Sequence, residues 1–439
     1  MDGMEEIEIP VSGAIFTFGK SHLSEFLPNQ FWVNNDSVVD ISCGDEHTVL
    51  VAESGRVFVF GNNAQGQLGL GNDITTKKPS CIKSIKNEKI KLVACGRSHT
   101  VFASESGYLY SCGSNSESQL GLKEVRQVDK PQCINGVEPQ QYKMLSCGAD
   151  HSVALTVNGE VYVWGGGDDG KLGLGDEQEH NIPTLLSFDE KITCISCGYY
   201  HTAFVTESGK LYTFGETDEG KLGLENSVRE VLTPHHVSSI PEKVKAVSCG
   251  GSHTAVVTVD GKVYTFGDGS NGQLGRGTSE LQLWTPKCVE LGFKAVDVSC
   301  GENFTAIISE NGFLYTCGNG RHGRLAQEQD SYSNQFIPQR VNRFRQFFVH
   351  KVACGGCHMI VSATKHVEDS SNRRHSINSM NDIGLLNEAR VRRRQLHNMS
   401  LNKTMPVLPQ LSRNNSKPKM LNQTMPHPLS KKKLTKRTR

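Results

Sequence analysis

Cys197-Gly198-Tyr199-Tyr200-His201-Thr202-Ala203-Phe204-Val205-Thr206, then Leu211-Tyr212-Thr213-Phe214-Gly215, then Gly220-Lys221-Leu222-Gly223-Leu224: these three phrases, in this order, form one copy of a unit written along most of the chain. The first phrase, Cys-Gly-x-x-His, recurs at Cys43/His47, Cys95/His99, Cys147/His151, Cys197/His201, Cys249/His253 and Cys354/His358. At Cys300 the same phrase ends in Phe304 instead of His. Spacings between successive cysteines are 52, 52, 50, 52, 51 and 54 residues. The second phrase alternates apolar and small or polar residues with a period of two, so it reads as a strand and not as a helix. The third places Leu68, Leu120, Leu172, Leu222 and Leu274 in a Gly-rich turn, where Gly supplies positive φ at no steric cost and the Leu plugs the junction between units.

Four short strands in about 50 residues make one small antiparallel sheet, with the fourth expected near Trp284–Glu290 in the fifth copy. Such a sheet cannot bury both faces alone and must stack on a copy of itself. Seven copies arranged radially give an all-β, seven-bladed β-propeller. The seventh Cys-Gly copy has no aromatic strand after it, yet Ala14-Ile15-Phe16-Thr17-Phe18-Gly19 at the other end of the chain fits that phrase. The last blade is therefore expected to join residues 13–19 to residues 352–363, closing a domain that spans 1–364.

Composition fits this reading and marks where it stops. Glycine supplies 44 of 439 residues, which suits turns better than helical bundles. Residues 365–439 hold 17 Lys/Arg against 4 Asp/Glu, net +13, whereas residues 1–364 hold 30 against 42, net −12. The C-terminal part is rich in Asn, Ser, Pro and Arg and is expected to be a mostly disordered basic tail. Its Arg392, Arg393 and Arg394, and its Lys431, Lys432, Lys433, Lys436 and Arg437, fit a nuclear import signal or an acidic ligand as well as a solubilising tail. No apolar run is long enough to span a bilayer and the acidic start is unlike a signal peptide, so a soluble, intracellular chain with reduced thiols is expected.

No catalytic constellation emerges. The repeated Cys and His fall on successive units, not in a compact pair of pairs, so a structural role is expected: Cys packed in the blade, His bonded to neighbouring backbone, and no metal. Cys194/Cys197 and Cys354/Cys357 resemble a zinc knuckle or redox pair, but one Cys of each is the repeat residue. The Gly-rich turns lack the Lys-Ser/Thr and helix start of a phosphate loop, so no cofactor and no small-molecule substrate are expected. Asp45-Glu46, Asp168-Asp169 and Glu216–Glu219 are expected to be solvated loop clusters, with an acidic face for a basic partner as the alternative.

The wording CGxxHT, LYTFG and GQLGL resembles the regulator of chromosome condensation family over residues 10–363. GAIFTFGK at 13–20, CGYYHTAFVTESGKLYTFGE at 197–216, GRHGRL at 320–325 and VACGGCHM at 352–359 narrow the resemblance to a ciliary branch of that family. That resemblance implies a non-enzymatic scaffold at the transition zone or connecting cilium, also basal body, axoneme and cytoplasm, serving ciliogenesis and protein traffic in photoreceptors and other ciliated cells. The partners it implies are the branch's own interacting-protein scaffold and the prenyl-binding delta subunit of rod phosphodiesterase. The alternative it implies is guanine-nucleotide exchange on a small GTPase. The family founder drives exchange on Ran with an inserted wedge; here the even spacings leave little room for one, which favours a Rab-type GTPase. Chromatin or other nucleic-acid binding is not expected from an acidic propeller. The terminal Thr435-Lys436-Arg437-Thr438-Arg439 contains no prenylation Cys.

Overall fold

A computed structural model describes residues 9–10, 12–20, 29–123, 125–226, 228, 230–327 and 332–366. The arginines and lysines singled out in the basic tail lie outside the described residues, as does the expectation of disorder there.

The described residues fold into seven four-stranded antiparallel sheets set around a central channel. Blade one shows the pattern: Val38–Cys43 lines the channel, His47–Ala52 follows, Val57–Gly61 is third and Thr76–Cys81 is outermost. Blades two to six repeat this order at the observed spacing. In blade five the outermost strand is Gln282–Cys288, two residues earlier than the sequence indicates, because Leu283 turns inward and is buried. The second strand of every blade is buried along its central residues on both faces, since each sheet is covered by a neighbour on either side. Apolar clusters consequently form between blades: Val49, Val59 and Leu68 of blade one meet Val93 and Phe102 of blade two in one of them.

Blade seven is composite. Phe347–Cys354 and His358–Lys365 come from the end of the propeller, and Ala14–Gly19 and Asn29–Phe31 from the start of the chain. Ala14 to Gly19 pair antiparallel with Ala363 to His358 over six consecutive residues. The strand His358–Lys365 runs slightly beyond the expected end of the domain because Phe347 and Phe348 pair with Lys365 and Thr364.

Outer edges are guarded. Pro79, Pro131, Pro183, Pro286 and Pro338 sit within outermost strands, and Pro234 directly precedes the short His235–His236 strand. Proline has no N–H to offer a further strand, so these edges resist sheet-to-sheet association. Each channel-lining strand carries one register shift near its start, between Val38 and Asp40 in blade one and between Val349 and Lys351 in blade seven. Such bulges add local twist, which helps small sheets pack radially.

Candidate functional site: the mouth of the central channel

The first and second strands of a blade meet in the Cys-Gly-x-x-His loop, so all seven of these loops gather at one mouth of the channel. The third strand runs back toward that mouth, which places the Gly-rich loops on the same side. A cavity of about 230 Å³ lies along the axis, lined by Cys43, Cys95, Cys147, Cys197, Cys249, Cys300 and Cys354 with their following glycines.

The cysteines are free thiols and they are used between blades. Cys43 Sγ donates to the Ala353 carbonyl at 3.4 Å, Cys95 to Ser42 at 3.6 Å and Cys147 to Ala94 at 3.7 Å. Burial holds the Cys95, Cys197 and Cys300 thiols up at about 12, so they are protonated and unreactive at neutral pH. The serine before the cysteine adds a second tie. The Cys95 N–H donates to Ser42 Oγ at 3.0 Å, and Ser146, Ser196, Ser248 and Ser299 accept in the same way from Cys197, Cys249, Cys300 and Cys354. Cys194 and Cys197 point into different inter-blade clusters and form no pair. Cys357 stands apart from Cys354, its Sγ 3.4 Å from the Lys20 carbonyl.

The histidines differ from expectation: their ring partners are hydroxyls on the next blade, not backbone groups. His47 Nε2 lies 3.0 Å from Thr100 Oγ1, His99 2.9 Å from Ser152, His151 2.9 Å from Thr202, His201 2.8 Å from Thr254, His253 2.9 Å from Thr305, and His358 2.8 Å from Thr48. Thr100 donates its own proton to the Gln67 carbonyl at 2.7 Å, and Ser152, Thr202, Thr254 and Thr305 do likewise to carbonyls of the Gly-rich loops. A carbonyl can only accept, so the hydroxyl must accept from the imidazole and Nε2 carries the hydrogen. Five seams are thus relays from a histidine of one blade, through a hydroxyl of the next, back to the first blade, and at the seam of blades seven and one His358 meets Thr48. The leucines Leu68, Leu120, Leu172, Leu222 and Leu274 are buried beside these relays.

One seam is different. Phe304 replaces the histidine of blade six, and facing it, where every other blade has Thr or Ser, blade seven has Met359. Both are fully buried in one apolar cluster. Donor and acceptor are lost together, so no polar group is orphaned. Phe304→His alone sets an imidazole N–H against a thioether and should cost about 3 kcal/mol; Met359→Thr alone should cost about 2 kcal/mol. The double variant rebuilds the relay, and a double-mutant cycle from urea melts should return a favourable coupling of about 2 kcal/mol. Simply additive losses would show that the two positions do not act as a pair.

Around this constant ring, the two variable residues of each loop shape the mouth. Tyr199 of blade four reaches to blade one and donates its hydroxyl to Asp45 Oδ1 at 3.1 Å. Arg97 of blade two packs its guanidinium over the rings of Tyr199 and Tyr200, at 5.1 and 5.5 Å, and donates to Tyr200 Oη at 2.7 Å. Glu302 is half-buried; its carboxyl is held above the ordinary range first by burial and then by nearby Asp45. Glu46 pairs with Lys20 at 2.8 Å. Farther out, Asp169, Glu177, Glu216, Asp218 and Glu230 line one cavity between the Gly-rich loops of blades three and four. The lysines of those loops do not cover it: Lys171 and Lys221 are buried, and Lys221 is spent on Glu216 at 2.7 Å. Sequence reasoning found the acidic loops but missed the Tyr199, Asp45 and Arg97 tie, whose one signal was variability inside a constant phrase. Among the described residues no group of His, Cys, Asp and Glu is arranged to hold a metal ion, and no helix is long and apolar enough to cross a membrane.

Known proteins share this architecture. The regulator of chromosome condensation (RCC1) repeat matches residues 54–103, 106–155, 158–205, 208–257, 260–308 and 311–361. The X-linked retinitis pigmentosa GTPase regulators of Mus musculus and Homo sapiens are each 48% identical, over 360 and 362 residues, covering 81% and 82% of this chain but 36% and 35% of theirs. The chain thus spans little more than a third of the length of these relatives. The ultraviolet-B receptor of Arabidopsis thaliana is 35% identical over 301 residues, 67% of this chain and 68% of that protein. Among solved structures, Prp20p of Saccharomyces cerevisiae superposes with a TM-score of 0.73 at 18% identity, over 82% of this chain and 93% of that one. Human WBSCR16 gives 0.72 at 23% identity, over 81% and 100%. At such identities these two structures speak for the fold alone. With six matched repeats and a seventh blade closed by its own N-terminal strand, this chain belongs to the regulator of chromosome condensation repeat family.

Proposed function

We propose that the propeller is a non-enzymatic protein-interaction scaffold of the cilium, acting in ciliogenesis and ciliary protein traffic like the retinitis pigmentosa regulators it resembles. The observation that carries this reading is the division of labour at the channel mouth. The thiols and imidazoles, which chemistry would need, are tied into inter-blade bonds, while the groups left to face outward are variable loop residues, with an acidic cavity between the Gly-rich loops of blades three and four. Rigid rings with variable loops serve recognition, with function residing in the loops and not in the fold. Partners that fit are the interacting-protein scaffold of the retinitis pigmentosa regulator, the prenyl-binding delta subunit of rod phosphodiesterase, and a small GTPase.

The second reading, nucleotide exchange on a Rab-type GTPase, is favoured by the relatives' designation as GTPase regulators. Exchange needs no covalent chemistry, only tighter binding to the nucleotide-free GTPase than to the loaded one. Two measurements on the purified chain separate the readings. Calorimetric titration with the two scaffold partners should give saturable binding. Release of a fluorescent nucleotide from Rab and Ran proteins should proceed at its spontaneous rate. Acceleration of release tenfold or more, without scaffold binding, would reverse the conclusion.

A further inference from the structure

The face opposite the channel mouth carries a break in the repeat pattern that stability does not demand. There the turn between second and third strands places a glycine against a residue close to the start of the next blade's channel-lining strand. Gly55 is covered by Lys89, Gly107 by Gln140, Gly159 by Lys191, Gly209 by Lys243 and Gly261 by Lys294. A lysine suits this place because its stem lies on the turn while its ammonium stays in water. At the sixth turn the occupant is Phe348, whose ring lies so close to Gly312 that a Cβ there would stand 2.5 Å from it. Phe348 nevertheless keeps 37% of its surface exposed.

Its surroundings depart from the pattern in the same direction. Phe313 follows Gly312 at a turn position that is charged in four other blades. The longer second strand of blade seven brings His366 beside both rings, 6.2 Å from Phe348 and 6.4 Å from Phe313. His350 lies 5.1 Å from Phe348. Arg340 rests 3.7 Å above the Phe313 ring and, among the described residues, has no carboxylate within ion-pairing distance. Neither do the exposed Arg345 and Lys365, which precede Phe348 and His366 in the sequence.

We propose that this patch on blades six and seven, Phe313, Phe348 and His366 rimmed by Arg340, docks an acidic peptide segment that inserts an apolar side chain between its flanking carboxylates. Charge complementarity selects this occupant: the Arg340 guanidinium, with no carboxylate paired to it among the described residues, rims an exposed aromatic floor, an arrangement that a basic segment does not satisfy.

The test uses the full chain. A phage-displayed library of random twelve-residue peptides is panned on the wild-type protein and counter-selected on Phe348→Lys, which removes peptides held by the basic tail. The variant installs the residue that four equivalent places already use, so its melting temperature should match wild type. Enriched sequences should place Leu, Phe or Trp between Asp and Glu residues. A labelled peptide of that kind should bind at least tenfold more weakly to Phe348→Lys and to Arg340→Glu, read by fluorescence anisotropy. No enrichment, enrichment of basic sequences, equal binding to the variants, or a wild-type dimer that Phe348→Lys dissociates would each overturn the proposal, the last by making a second copy of the chain the occupant.

Discussion

Acidification from pH 7 to pH 5 should unfold the propeller cooperatively. His47, His99 and His151 are depressed to about 3 and His253 to about 4, in each case first by burial, and His201 is driven well down by burial and then by the Lys221 ammonium. A folded-state value below the ordinary 6.5 means that the unfolded chain binds more protons across the interval between them. The stabilisation is fully present above pH 6.5 and is lost as pH falls toward 3 or 4. At pH 5 each ring histidine forfeits about 2 kcal/mol, and five of them forfeit on the order of 10 kcal/mol, as much as a typical domain possesses. Glu117, Asp297 and Glu302, all raised first by burial, act in the opposite sense, but they are three groups against five. Tryptophan fluorescence and near-ultraviolet circular dichroism should show one transition between about pH 6 and pH 5. Converting one relay to the apolar kind already present, His253→Phe with Thr305→Met, should move that transition to lower pH. A chain that stays folded at pH 4, or a midpoint unmoved by the paired substitution, would show that the ring does not set acid stability.

The same relays mark where reading the sequence stopped. The phrases Cys-Gly-x-x-His, LYTFG and GQLGL give seven blades and the composite seventh, because strand period and repeat length are local properties of the chain. The histidine's partner is not local: His201 and Thr254 each belong to a His-Thr word, but the bond joins one word to the next, 53 residues on. Compared within units, Phe304 and Met359 look like two unrelated losses; compared across a seam, they are one exchange. The glycine after the cysteine is needed for a different reason from those of the Gly-rich turn. Gly198 does not adopt positive φ, unlike Gly220 and Gly223 in the Gly-rich turn. It is required because a Cβ there would stand 2.2 Å from the His201 ring and 2.5 Å from the Gly250 carbonyl. Edge prolines and the register shifts near the start of the channel-lining strands likewise acquire meaning only once the sheets have a centre and a rim.

Removing residues 1–20 should cost the whole ring, not one blade, about 6 kcal/mol and lower its melting temperature by about 10 °C. The strand Ala14–Gly19 is buried along its entire length, and its two faces serve different neighbours. Phe16 and Phe18 pack edge-on against Phe344 of the stretch leading into blade seven, at 5.0 and 5.8 Å, in the cluster that also holds Phe304 and Met359 of the seam with blade six. Ile15 points the other way, into the cluster of Ile41, Leu50 and Phe60 in blade one. Three large side chains leaving water contribute about 2 kcal/mol each, which is the source of the total. Holding the chain's two ends together opposes this only weakly, since loop-closure entropy grows with the logarithm of length and a closed ring of some 340 residues is scarcely dearer than one of half that size. Without the strand, blade seven loses its third member, the outer edge of His358–Lys365 is bared, and blade one is uncovered on the side facing it. Because each blade is stable only through its neighbours, the loss should spread around the ring as a single broadened or shifted transition in calorimetry. A synthetic peptide of residues 9–20 added to the truncated chain should raise the melting temperature in a saturable manner, as a ligand specific to the folded state must. A truncated chain that melts like the full one would mean that the ring holds without its clasp, and a peptide without effect would mean that the strand acts only when covalently joined.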